Sequence, residues 1–172
     1  MSRATVRAAV QAYLAPANSA IPFLGNVYAH PAKFTPEGEF YDGQDPGHST
    51  GAVIYIYISE QVEHRIALGG PHAGEKAVEY MIHMDCFIRS QGQRTEDAGA
   101  DSDTFLDALV AFIRADRNAG KPSVIFQWGE GTFPGGSDIQ VDALYPRPVR
   151  AGNQVSQVFA SVRTKVVEIV KT

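Results

Sequence analysis

The chain is poor in cysteine, in excess charge and in long apolar segments. Its single cysteine among 172 residues, Cys86, excludes an internal disulfide, so we expect a protein that is assembled inside a cell without covalent staples. A formal net charge of −4 argues against a protein whose main task is to neutralise the phosphates of a duplex. The apolar residues of the first 16 positions form too short and too interrupted a run for a signal peptide or a membrane span.

What the chain does contain is an ordinary globular composition, with 44% hydrophobic and 20% charged residues. A chain of this length predicts a single domain, residues 1–172, that can bury roughly two-thirds of its unfolded surface. The 16 glycines and 10 prolines predict several turns and long loops.

The clearest pattern lies between Lys76 and Gly120. Apolar and mixed residues alternate from 78 to 89, which predicts a long strand with one buried face. The apolar positions are Val78, Tyr80, Ile82, Met84, Cys86 and Ile88. After a polar loop over 90–99, apolar residues at helical spacing predict an amphipathic helix over 101–118, with Asp101 or Ser102 as its N-cap. Such a helix needs an apolar sheet face to pack on.

Ahead of this segment, the sequence predicts a helix and then a long arm. A helical stripe with Ser2 as N-cap and Pro16 after it predicts a helix within residues 1–15. Residues 15–49 are rich in proline, glycine and acidic side chains, which predicts an extended arm or loop. Its aromatic residues indicate that the arm lies on a surface and is not simply disordered.

The remaining segments predict strands. Thr50–Ile58 is apolar on both faces, which favours a central strand over a subunit contact. A tight hairpin connection is predicted at Ser59–Gln61, followed by a strand over 62–68, and later strands are predicted over 123–128 and 138–145. Residues 155–170 fit a helix or a strand. Their β-branched side chains favour a strand, with a bulge near Val166 or Val167.

These elements predict an α+β fold. We expect a mostly antiparallel sheet of five to six strands, with two helices packed on one face and a long N-terminal arm. Residues 50–172 would supply the sheet together with the helix over 101–118.

The possible chemical sites are weak. His83 and Asp85 share one face of their strand while Cys86 lies on the other, so the three cannot hold one metal ion. The glycine-rich segments 69–76 and 129–136 lead into strands, where phosphate or dinucleotide binding needs a helix N-terminus. We therefore predict no catalytic, cofactor-binding or metal-binding residue, and no enzymatic activity. The chain is expected to act through its surfaces.

The order of these elements resembles the tail-terminator proteins of long-tailed bacteriophages, particularly those of actinobacteria. The resemblance is carried by the N-terminal helix, LGNVYAHP at Leu24–Pro31, three consecutive strands, the helix in DTFLDALVAFIRAD and the closing strands after FQWGEG. It implies an α+β subunit of a hexameric ring that caps the tail tube, ends its polymerisation and joins it to the head connector protein. It also implies a virion protein that is assembled in the host cytoplasm, without cofactor or membrane.

A ring closed by rotation needs two different contact surfaces on each subunit. We predict that the contacts with another subunit or a partner come from the apolar strand and the aromatic arm. The candidates are Val53, Tyr55, Tyr57, Phe34, Phe40 and Tyr41. We predict that acidic arm residues face a lumen through which DNA passes without specific binding. These are Glu37, Glu39 and Asp42.

Two other classes of function stay open. One is another head-tail joining or completion protein. The other is a small ligand-binding or enzymatic domain with a pocket under the arm, lined by His83 and Tyr55.

Overall fold

The computed structural model describes residues 2–31, 50–65, 74–90, 95–116, 124–127, 139–144 and 156–171. Within these ranges the elements are two α-helices, a short 3-10 helix and six strands. They are α1 Arg3–Leu14, the 3-10 helix Ala15–Ser19, β1 Leu24–Tyr28, β2 Gly51–Arg65, β3 Glu75–Ser90, α2 Thr95–Ala115, β4 Val124–Gln127, β5 Ile139–Leu144 and β6 Ser156–Lys171. The predicted α+β class is confirmed. Most of the predicted arm, 32–49, lies outside the described residues.

The six strands form one sheet in the order β1-β2-β3-β6-β4, and β5 also pairs with β6. Only β1 and β2 are parallel, so the predicted mostly antiparallel sheet is confirmed. The three longest strands, β2, β3 and β6, lie side by side at its centre. β4 and β5 pair with different halves of β6, because β4 is opposite 165–168 and β5 is opposite 159–164.

Both α-helices pack on the same face of this sheet, as predicted. We call it the helix-covered face and the opposite one the open face. α1 contacts β1 and β2, while α2 contacts β3 and β6. The apolar alternation of β3 is buried against the helices, and Ile82, Met84 and Cys86 have no exposed surface. The helices also contact each other, because the Tyr13 hydroxyl donates to the Phe112 carbonyl at 2.9 Å and the two rings lie 4.8 Å apart.

The predicted first helix is confirmed together with its cap. The Ser2 hydroxyl accepts a hydrogen bond from the Thr5 N–H at 3.3 Å, which satisfies one of the free donors of the first turn. The α-helical geometry ends at Leu14, and Pro16 lies in the 3-10 helix that follows.

The predicted start of the second helix was wrong. α2 begins at Thr95, so Asp101 and Ser102 lie inside the helix and not at its N-cap. The Ser102 hydroxyl donates to the Gly99 carbonyl at 2.8 Å, and Asp101 accepts a hydrogen bond from Ser90. Gly99 and the polar residues around it are typical of a loop, but an acidic first turn suits the positive end of a helix dipole.

Part of the predicted irregular arm is regular structure. Residues 24–28 form β1, which pairs with 52–55 of β2. At the start of β1 the Ala52 N–H donates to the Phe23 carbonyl at 2.7 Å, and Phe23 has a positive φ of 65°. Five residues between glycine- and proline-rich flanks are too few for alternation to be recognised in the sequence.

The predicted hairpin at Ser59–Gln61 was also wrong. β2 runs without interruption from Gly51 to Arg65, and the change of phase in its alternation is taken up by a bulge between Ile58 and Glu60. An extra residue in a strand and a tight turn both break period-two alternation, and the sequence does not separate them.

The C-terminal segment is a strand, as predicted. β6 pairs with β3 from Ser156 to Lys171 without a register shift, so the predicted bulge near Val166 or Val167 was wrong. Val166 is buried on the helix-covered face, and Val167 pairs with Glu79 of β3. Two neighbouring valines belong to opposite faces of a regular strand here.

Candidate functional site

The open face of the sheet carries the side chains that the helices leave uncovered. The registers of β2, β3 and β6 place residues of the same face in rows that cross the strands. Tyr57, His83 and Arg163 form one such row, and Tyr55, Asp85 and Ser161 form the next. Most of these side chains are only partly buried.

A row of aromatic rings crosses this face at the level where β1 pairs with β2. Tyr28 stacks on Tyr55 with centroids 5.3 Å apart, and Tyr55 meets the edge of Phe87 at 5.6 Å. Phe87 in turn lies 5.0 Å from Phe159. His30 contacts both tyrosines, at 5.4 Å and 5.8 Å. The aromatic row therefore crosses four neighbouring strands, from β1 to β6.

Polar and charged side chains follow next to the aromatic row. The Ser59 hydroxyl lies 2.8 Å from His83 Nε2, and the His83 ring stacks on Tyr57 at 4.8 Å. Ser161 donates to Asp85 Oδ1 at 3.0 Å. Each hydrogen bond links two adjacent strands, so this part of the face is held together by polar contacts.

Ion pairs complete this polar surface. Arg163 of β6 pairs with Asp142 of β5. Lys165 Nζ lies 2.8 Å from Glu79 Oε2, and His64 Nε2 approaches the same carboxylate at 3.8 Å. Arg163, Lys165 and His64 thus each lie close to a carboxylate.

Partial burial shifts the pKa of three groups in this region. Desolvation, helped by Arg163, lowers the pKa of His83, while Asp85 opposes the shift. Desolvation raises the pKa of Asp85 against the hydrogen bond from Ser161 and the charge of His83. Desolvation and then Asp85 raise the pKa of Tyr57, which Arg163 opposes. These shifts favour the neutral form of each group.

The six predicted interface residues fall into three groups. Val53 and Tyr55 lie on the open face but are buried, with 2% and 0% of their surface exposed. Of these three residues, only Tyr57 is partly exposed and available for contact with another molecule. The arm candidates Phe34, Phe40 and Tyr41 lie outside the described residues, as do the predicted acidic lumen residues Glu37, Glu39 and Asp42.

A further surface was not recognised in the sequence. β1 pairs only with 52–55 of β2, so the outer edge of β2 from Ile56 to Arg65 has no strand neighbour among the described residues. The side chains of 59–65 are all exposed. The edge was not predicted because the expected hairpin divided β2 into two shorter strands.

The geometry gives little support to a chemical site. Cys86 is fully buried on the helix-covered face while His83 lies on the open face, as the alternation predicted, and burial raises the pKa of the Cys86 thiol. In the described segments, no group of three His, Cys, Asp or Glu side chains is placed to hold a metal ion. A pocket lined by His83 and Tyr55 is not favoured, because Tyr55 is fully buried and His83 stacks on Tyr57.

Comparisons with known proteins do not assign the chain to a family. No protein-family model matches it, and a search of curated proteins found no significant match. Among the described residues, neither helix is long and apolar enough to cross a membrane.

Proposed function

We propose that the chain is a structural virion protein, the tail terminator of a long-tailed bacteriophage. Six copies form a ring that caps the tail tube, ends its polymerisation and joins it to the head connector protein. The ring is assembled in the host cytoplasm and stays at the head-tail junction of the virion. The chain has no catalytic role in this proposal.

The observation that carries the proposal is the unequal cover of the sheet by the described residues. Two helices cover one face, while Tyr57, His83 and Arg163 on the open face remain partly exposed. A ring closed by rotation needs two unlike, complementary surfaces on every subunit. The open face offers one of them, and the outer side of the helices offers the other.

The order of elements gives further support. An N-terminal helix, a sheet with long central strands, a helix after β3 and closing strands are all present, and they underlie the resemblance to tail terminators. The contacts with the tail tube and the connector remain part of the proposal. The same holds for the passage of DNA past the acidic arm residues.

The first experiment measures the mass of the purified protein by light scattering over a wide concentration range, with negative-stain images of the same sample. We expect rings of about six times the 18.6 kDa subunit. The protein should also cap growing tail tubes from the same source and shorten them. A protein that stays monomeric with and without tubes, and leaves tube length unchanged, would contradict the proposal.

A matched pair of variants locates the ring contact. Tyr57→Arg adds a charge to the partly exposed open face and should reduce ring formation at least tenfold, since a new interfacial charge costs roughly 1.4 kcal/mol or more. Ala111→Arg adds the same side chain at an exposed position of α2 and tests whether the outer side of the helices takes part in the ring contact. Full ring formation by Tyr57→Arg would remove the open face from the contact.

A further inference from the structure

The outer edge of β2 is the longest unpaired strand edge in the described part of the chain. Among the described residues, Arg3 donates a hydrogen bond to the Ile58 carbonyl at this edge, and no strand pairs with it between Ile56 and Arg65. Val62 lies in the middle of the exposed part and is itself 36% exposed. Unpaired edges of this length are templates for another strand, and proteins usually cover or guard them.

The register shows which backbone groups point away from β3. The Ala52 N–H and the Ile58 carbonyl both point outward, so even-numbered residues do so before the bulge. After the bulge Glu60 is opposite Met81, and the outward positions become odd-numbered. Gln61, Glu63 and Arg65 therefore offer unpaired N–H and carbonyl groups.

We propose that residues 60–64 of β2 pair antiparallel with the same residues of a second copy of the chain, around a two-fold axis at Val62. In this register Gln61 of each copy exchanges main-chain hydrogen bonds with Glu63 of the other. The two Val62 side chains meet at the axis. Glu60 of each copy lies opposite His64 of the other, so a carboxylate faces an imidazole across the pairing.

Neighbouring registers are less favourable. A shift of two residues in one direction places Glu63 opposite its own copy, where like charges repel. A shift in the other direction places Glu63 opposite Ser59 and brings the bulge into the pairing. Self-pairing at Val62 is the register in which exposed apolar, polar and charged positions all find a suitable partner.

This pairing of β2 with β2 of a second copy, which we call the joint, is small and separate from the ring. Five residues on each side bury less than a standard protein interface, so we expect association that depends on concentration. A two-fold joint links copies in pairs, whereas ring contacts are head-to-tail. The joint and the tail-terminator proposal can therefore be tested independently of each other.

Cysteine cross-linking tests the register. Val62 lies at a non-hydrogen-bonded position of the joint, where Cα atoms are about 4.5 Å apart, within the range that a disulfide spans. Val62→Cys should therefore form a disulfide-linked dimer under mild oxidation. The native Cys86 does not compete, because it is fully buried.

The matched control is Val141→Cys on β5, because Val141 is similarly exposed at 41%. We expect the Val62→Cys dimer to form at least about tenfold faster than the Val141→Cys dimer, because the joint raises the local thiol concentration. Equal rates for the two variants would overturn the proposal.

A charge exchange tests the pairing of Glu60 with His64. His64→Glu alone places two carboxylates opposite each other, and Glu60→Lys alone removes the carboxylate that faces His64, so each should weaken dimerisation in sedimentation experiments. The double variant restores opposite charges and should recover dimerisation, while thermal unfolding checks that each variant folds. A double variant that dimerises no better than the single ones, or a wild-type protein without dimers at any concentration, would overturn the joint.

Discussion

Thr164 is a polar residue with apolar neighbours on both adjacent strands. It is fully buried between Ile82 of β3 and Ile139 of β5, and its hydroxyl oxygen has no hydrogen-bond partner. Burying an unpaired hydroxyl is unfavourable, so Thr164→Val, which has nearly the same shape, should raise the free energy of unfolding by about 1 kcal/mol. Urea denaturation measures the change.

A serine three residues earlier on β6 provides the matched control. The Ser161 hydroxyl donates to Asp85 at 3.0 Å on the open face. Ser161→Ala should therefore lower the free energy of unfolding by about 1 kcal/mol. If both variants shift stability in the same direction, hydrogen bonding does not explain the difference between the two positions.

His83 should make stability sensitive to mild acid. Burial and Arg163 lower its pKa in the folded protein, while Tyr57 and Ser59 contact the ring and Asp85 partly opposes the shift. The unfolded chain then binds more protons between the ordinary pKa of 6.5 and the lowered one, so stability falls as pH falls through this window. Melting temperatures between pH 7 and pH 5 should decrease less in His83→Gln than in the wild type. Parallel pH profiles would show that other groups cause the decrease.

At the scale of elements, the sequence predicted those with strong periodicity. The alternation of β3 and the apolar stripes of α1 and α2 gave the right element types, and the β-branched residues of β6 correctly favoured a strand. The errors occurred where one local signal has two physical origins. Gly99 resembles a loop but lies inside α2, and the phase change at Ser59 resembles a turn but is a bulge. The open edge of β2 depends on which strand lies beside it, which no local pattern contains.

The bulge in β2 makes an unusual deletion tolerable. Ile58 faces Ile82 and Glu60 faces Met81, so Ser59 is the extra residue between two regular pairs. Deleting Ser59 removes the bulge and keeps every other residue on its face, and we expect a loss of no more than about 1 kcal/mol for its bond to His83. Circular dichroism and thermal unfolding measure the effect.

Deleting His83 from β3 is the contrasting variant. β3 has no extra residue at this point, so the deletion moves the residues on one side of it to the wrong face. We expect loss of the folded state, because buried residues such as Met84 and Cys86 would turn to the open face. Similar stability of the two deletion variants would mean that the register of β2 and β3 is not fixed as described.

At the scale of the whole molecule, the proposed ring predicts where negative charge matters. Reversal of Glu37, Glu39 and Asp42 to lysine removes the repulsion that the proposal assigns to the lumen, so assembled rings should retain duplex DNA at low salt and release it as salt rises. The matched control reverses Asp97, Asp103 and Asp107, which are exposed on α2. The outer side of the helices belongs to the proposed ring contact, so light scattering first confirms that each variant forms rings. Both variants gain the same net charge, so a filter-binding assay separates position from charge. DNA retention by the arm variant alone supports a lumen lined by the arm, because only charge that faces the DNA acts on it within a Debye length of about 8 Å. Equal retention by both variants would contradict that placement, since total charge would then explain binding.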